Sequence, residues 1–170
     1  MIATARLRLR RPHAADADAI FQRYASDPEV TRYLAWPTHR SLEQTKTFLA
    51  FSDEAWRRWP AGPYLIENQA GELLGGTGFD FEEARTAQTG YVLARDAWGQ
   101  GYATEALAAL TALAPTIGVR RLYATVHPDH RASIRVLEKC GYEKEDRRRQ
   151  VILPNLAPIP IEAVVFARVF

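Results

Sequence analysis

Leu7 and Leu9 alternate with Arg6, Arg8 and Arg10, a two-residue period that predicts a half-buried strand closed by Pro12. The period then changes. Ala17, Ile20, Phe21 and Tyr24 fall at i, i+3, i+4 and i+7 and give one apolar face of a helix. Asp27-Pro28-Glu29 reads as a second start, with Asp27 as N-cap and Pro28 at the first helical position. Val30, Tyr33 and Leu34 form its buried side, and Trp36-Pro37 ends it early. Ser41-Leu42-Glu43-Gln44 has capping-box form and begins a longer helix, whose packed side carries Phe48, Leu49, Ser52, Trp56 and Trp59 before Pro60 and Gly62 stop it.

From residue 64 onward the pattern is that of strands. Residues 64–67 and 73–81 read as a hairpin around Asn68-Gln69-Ala70-Gly71, and 87–94 as a third antiparallel strand. That strand ends in Gly90-Tyr91-Val92-Leu93. The stretch Trp98-Gly99-Gln100-Gly101-Tyr102-Ala103-Thr104-Glu105-Ala106-Leu107 follows, and Ala106, Leu107, Leu110, Leu113 and Ala114 recur behind it at helical spacing. Pro115 terminates this helix early and Gly118 marks its stop. A strand over 122–126, a helix over 132–139 ended by Gly141, and strands at 142–145 and 161–170 complete the chain. With no internal repeat, low-complexity tract or linker, this order predicts a single α/β domain over residues 1–170 with a mixed sheet.

Composition narrows the class. A chain of 170 residues with 47% hydrophobic positions is long enough to bury a core and too apolar for disorder. Its one cysteine, Cys140, excludes an intrachain disulfide, and no Cys/His cluster has zinc spacing. A reducing cytoplasm is the expected setting. No apolar run approaches the roughly 18 residues of a membrane span, and the first residues lack a signal-peptide core. A net charge of +2 is too small to argue for nucleic acid. The run Arg147-Arg148-Arg149 lacks interleaved aromatics and reads as a solvated turn, with attraction of an anionic ligand as the other reading.

The chemistry concentrates at the glycine turn. A helix start leaves backbone N–H groups unpartnered and carries partial positive charge, so it can hold a phosphate by main chain alone, and glycines let the backbone come close. A nucleotide-triphosphate loop needs lysine and a hydroxyl after its last glycine, where Tyr102 and Ala103 stand. A dinucleotide fingerprint needs glycine at Thr104 and an acidic residue ending the next strand, where Val126 and His127 stand. What remains is a coenzyme A pyrophosphate or a plain tight strand-to-helix connection.

Here the sequence resembles the GNAT N-acetyltransferases, whose acyl-CoA loop is Gln/Arg-x-x-Gly-x-Gly/Ala. Gly101 and Ala103 meet that pattern. Trp98 replaces its first residue, in a Trp-Gly-x-Gly-Tyr-Ala-Thr-Glu-Ala form common in the subgroup similar to ribosomal-protein N-terminal (alanine) acetyltransferases. The resemblance extends from Arg6-Leu7-x-Leu9-Arg10 through Ser26-Asp27-Pro28-Glu29-Val30 to the segment from Ser133 to Tyr142, Ser-Ile-Arg-Val-Leu-Glu-Lys-Cys-Gly-Tyr. It implies a mixed, mostly antiparallel sheet of six to seven strands flanked by helices. It also implies acetyl-CoA as acyl donor without a metal, and direct transfer to a primary amine. On this likeness Trp98, Gly99, Gln100, Gly101, Tyr102, Ala103 and Thr104 hold the cofactor's phosphates. Val92 and Leu93 hold its pantetheine by main chain, on a strand that Gly90 suits by allowing close approach. A protein N-terminal α-amine is the favoured acceptor, with small amines and antibiotics as the others the subgroup takes. No nucleic-acid or membrane partner is expected, and the protein is expected as a monomer or homodimer.

Amide formation from a thioester needs a neutral amine, donors for the oxyanion and a proton for the thiolate. The glutamate usual in this subgroup two residues before the Gly-Tyr pair is Gln88, which accepts no proton. Asp80 and Glu82 are the nearby carboxylates, and Asp80 is the base candidate against the alternative of a solvated hairpin end. The tyrosine many relatives use as acid is Leu137, and the asparagine usual seven residues earlier is His130, the candidate there for a cofactor contact. Ser133 matches the subgroup and is the candidate thiolate partner, its other reading being a cap of its own helix. His127 and His130 read as a polar strand-to-helix turn, with service as a base the other reading, and Cys140 as packing, with a ping-pong nucleophile the other reading. Trp36, Tyr33 and Gln88 are the acceptor-side candidates. The losses at Gln88 and Leu137 leave a non-catalytic acyl-CoA-binding module as the competing class.

Overall fold

The computed structural model describes residues 1–170. Eight strands form one sheet in the order β1-β2-β3-β4-β5-β6-β8-β7. They are β1 (Ile2–Ala3), β2 (Leu7–Arg10), β3 (Pro63–Asn68), β4 (Leu73–Glu83), β5 (Thr86–Leu93), β6 (Arg121–Val126), β7 (Glu143–Val151) and β8 (Ile161–Val169). The helices are α1 (Ala17–Ile20), which widens into a turn through Phe21–Ala25, then α2 (Pro28–Thr31), α3 (Leu42–Arg58), α4 (Tyr102–Leu113) and α5 (Arg131–Lys139). Alternation in β3 divides the core between the two sheet faces. Leu65 packs with Ile20 of α1 and Leu49 of α3, whereas Tyr64 and Ile66 join Leu107 and Leu110 of α4 and Leu137 of α5.

The eighth strand corrects the expected count of six to seven. It is the two-residue β1, paired as Ile2↔Leu9 and Ala3↔Arg8, too short for any alternation to register. Three local readings also change. Arg147, Arg148 and Arg149 lie inside β7 rather than in a turn. Their charge, mostly exposed, suits a strand at the sheet's edge, where it discourages pairing with other chains. At α3 the Ser41 hydroxyl makes no cap bond, and the Gln44 side chain instead accepts from the Arg40 N–H at 2.5 Å. Asp27 does cap α2, accepting from the Glu29 N–H at 2.9 Å.

The feature that positions the site is the one parallel pair in the sheet. β5 and β6 pair only from Thr86↔Arg121 to Gln88↔Tyr123. Beyond that, β5 stays with β4 as far as Leu93↔Gly75, and β6 stays with β8 as far as Val126↔Val164. The two strands part, and residues 89–93 keep one edge without a strand partner. Gly75 permits the close approach of β5 to β4 at this end, because a Cβ there would stand 2.0 Å from the Val92 carbonyl oxygen.

Candidate active site

At the end of β5 the Leu93 carbonyl accepts from the Trp98 indole N–H at 2.8 Å, so Trp98 fixes the exit from the strand while the residue as a whole stays 46% exposed. Gly99 and Gly101 both adopt left-handed backbone, φ +73° and +79°, the conformation that favours glycine. Gly101 is the N-cap of α4, with no side chain bonded to the helix start. The backbone N–H groups of residues 99–104 donate to no acceptor in the protein. Six consecutive free donors at a helix N-terminus match what a diphosphate requires. The turn is anchored by Glu105, which accepts from the Thr4 hydroxyl at 2.6 Å, the Arg6 N–H at 2.8 Å and the Arg6 Nε at 2.7 Å. The Arg6 guanidinium also donates to the Gln100 carbonyl at 2.9 Å and lies 4.7 Å over the Tyr102 ring.

Where β5 and β6 part, a cavity of about 480 Å³ opens. Of the expected site residues it collects Tyr33, Trp36, Asp80, Gln88, Val92, His130 and Ser133. Leu93 instead packs in the core, and residues 98–104 lie outside the cavity, past the end of β5. A Cβ on Gly90 would meet nothing within 4 Å, so no sheet packing requires a glycine there. Ser133 makes no cap bond to α5. Its hydroxyl lies 2.8 Å from the Tyr91 hydroxyl, which also donates to the Ser133 carbonyl at 2.9 Å. Burial pushes the Tyr91 phenol up, with the Ser133 bond opposing, so it keeps its proton at neutral pH. Leu137 is fully buried and offers no chemistry.

The two carboxylates part company. Glu82 accepts from the Tyr123 hydroxyl and from Arg149 at 3.0 Å. The Tyr123 bond, against burial and with Arg149, holds its carboxyl below the usual range. Asp80, paired in register with Gln88, has no ion pair. It stays open to solvent at the cavity, yet partial burial and the nearby Glu82 charge push its carboxyl up. Gln88 donates to the Thr125 hydroxyl at 3.2 Å and accepts from Tyr123 at 3.3 Å.

Across from these, His130 stacks on Tyr33 with ring centroids 4.3 Å apart, and Trp36 lies 5.1 Å from the His39 ring. Burial, then the His127 charge, lowers the His130 pKa, and burial lowers that of His39. The loop that carries Trp36 is held from far along the chain. The Asn155 side chain donates to the Thr31 and Trp36 carbonyls at 2.7 and 2.8 Å and accepts from the Thr38 N–H at 2.8 Å and the Thr38 hydroxyl at 3.1 Å. Sequence reasoning missed Asn155, Tyr91, His39 and Glu105. Tyr91, in the Gly-Tyr pair, and Glu105, in the glycine-turn motif, carried a signal that was available.

Comparison with known proteins agrees with this architecture. The family pattern described as an acetyltransferase (GNAT) domain matches residues 6–143. The uncharacterized N-acetyltransferase YoaA of Bacillus subtilis (strain 168) is 32% identical over 166 residues, 93% of this chain and 91% of its own. The uncharacterized N-acetyltransferase p20 of Bacillus licheniformis is 32% identical over 146 residues, 84% of this chain and 82% of its own. Among solved structures, RimL, a ribosomal L7/L12 α-N-protein acetyltransferase in complex with coenzyme A, is similar at a TM-score of 0.86 and 25% identity, covering 99% of this chain and 97% of its own. The chain belongs to the GNAT family of acetyltransferases.

Proposed function

We propose that this chain, as a single domain over residues 1–170, moves an acetyl group from acetyl-CoA to a primary amine by direct attack in a ternary complex. The observation that carries this reading is the parting of β5 from β6. It sets an unpaired strand edge, a carboxylate and a hydroxyl pair around one cavity, beside a turn of free N–H groups.

In this reading the N–H groups of residues 99–104 take the diphosphate, with Trp98 setting the turn, and the free edge of 89–93 takes the pantetheine as an added strand would. Main-chain donors near Val92 and Leu93 polarise the thioester carbonyl. Asp80 removes the proton from the incoming ammonium, a role helped by a carboxyl moved toward neutrality. Ser133 gives a proton to the departing thiolate and recovers one from water, while the Tyr91 phenol, which keeps its own, holds the Ser133 hydroxyl in place. His130 borders the donor, and Tyr33, Trp36 and Gln88 border the acceptor. The likeness to RimL supports a protein N-terminal α-amine among the acceptors.

Asp80, in register with Gln88, and the Tyr91–Ser133 pair offer a base and a proton donor in place of the groups lost at Gln88 and Leu137, which favours an enzyme over a binding module. A thiol-release assay over N-terminal peptides and small amines tests the choice. Release of coenzyme A that depends on an added amine is expected. A rise in melting temperature with acetyl-CoA and no release to any amine would leave only binding.

A further inference from the structure

The charges that face the cavity are few and one-sided. Among its lining residues Asp80 is the one carboxylate, three histidines are present, and there is no lysine or arginine. Arg32 lies over the Tyr33 ring at 5.4 Å without lining the cavity, and Arg149 is engaged with Glu82. The remaining wall on the acceptor side is apolar and aromatic, including Tyr24, Tyr33, Trp36, Phe48, Phe51 and Leu153. Phe51 is 55% exposed, a large apolar side chain at the edge of this wall.

We propose that the acceptor is a monoamine whose amine is borne on an aromatic or branched apolar group and which carries no second charge near it. This deepens the acetyl-transfer reading above and rests on it. One ammonium is matched by Asp80 and by the aromatic faces. A second ammonium a few ångströms away, as in a polyamine or aminoglycoside, would leave water without a counter-charge. A carboxylate or phosphate on the acceptor would enter without a cation and beside Asp80. An aromatic ring gains by leaving water against Trp36 and Phe51. The same chemistry is offered by a free arylalkylamine and by a peptide whose first residue is apolar.

The test is a set of kcat/KM values by thiol release for 2-phenylethylamine, ethylamine, spermidine, kanamycin, and uncharged peptides beginning with Phe or with Ser. Phenylethylamine or the Phe-first peptide should exceed spermidine and kanamycin by about 10- to 100-fold, the range typical of pocket discrimination. Whichever of those two leads identifies the source. Trp36→Ala, and the surface variant Phe51→Ala in case the first fails to fold, should lower the value for phenylethylamine by a larger factor than for ethylamine. The acetyl-CoA-dependent rise in melting temperature reports that each variant still folds around the donor. Spermidine or kanamycin matching the aromatic amines, or equal losses for phenylethylamine and ethylamine in both variants, would overturn the proposal while leaving acetyl transfer standing. Failure of every amine to release coenzyme A would overturn both.

Discussion

The two sides of the cleft are built in opposite ways. The proposed donor side is mostly one run, from Thr89 through the glycine turn to Thr104, whose working groups are main-chain N–H and C=O groups, with His130 and Ser133 added from the start of α5. The proposed acceptor side is assembled from the loop after α2, the packed side of α3, the end of β4 and the loop between β7 and β8. It works through side chains and is tied by contacts such as Asn155 to Trp36, 119 residues apart. A ligand common to a whole family can be held by a local backbone shape. A ligand particular to one chain needs side chains from many places, each free to change.

Substitutions can break this division, and the largest effect is expected at Asp80. Asp80→Asn should lower turnover by about 100- to 10,000-fold, the usual range for loss of a general base. Its stability effect has the opposite sign. An aspartate whose native pKa is raised lends full stability below its ordinary pKa of 3.8, and that contribution is lost as pH rises through the native value. At pH 7 the charged carboxyl is therefore disfavoured in the cavity. Asp80→Asn should melt higher than wild type at pH 7, with the gain vanishing near pH 3. A lower melting temperature at pH 7 would mean that Asp80 is a structural anion.

Ser133→Ala should lower kcat by about 10- to 1000-fold, from a weak donor to a full general acid, with acetyl-CoA affinity nearly unchanged. Tyr91 still donates to the Ser133 carbonyl in that variant, so little stability is lost. Tyr91→Phe should act in the same direction, and the double variant should be no worse than the more damaging single one if the hydroxyls work as a unit. Normal turnover in Ser133→Ala would leave water to protonate the thiolate. The smallest effect is expected at Asn155. Asn155→Ala should raise the amine KM by about 3- to 10-fold, roughly 1 kcal/mol, and spare acetyl-CoA binding. An unchanged amine KM would remove the β7–β8 loop from the acceptor side.

This asymmetry also decides what the sequence could tell. The glycine turn, the core faces of α4 and the Asp27 cap depend on neighbours within a few residues, so periodicity and spacing located them. Trp98 looked like a departure from a motif, and only the structure shows its indole bonded to the Leu93 carbonyl. The separation of Asp80 from Glu82 was invisible because it depends on Tyr123 and Arg149, which the fold brings in from β6 and β7. The Arg147 to Arg149 run was misplaced for a related reason. The partly buried side of this edge strand carries Glu145 and Arg149 in place of apolar residues, so there is no apolar alternation, and charge alone reads as a turn.

The central claim is that the gap between β5 and β6 beside Gly90 is where acetyl-CoA sits. Gly90→Val tests it most directly, because the space a side chain would enter is empty in the protein and a β-branched residue suits a strand. The account predicts a folded variant with a melting temperature at or above that of wild type and no rise on adding acetyl-CoA. A rise as large as that of wild type, in a folded Gly90→Val, would contradict it.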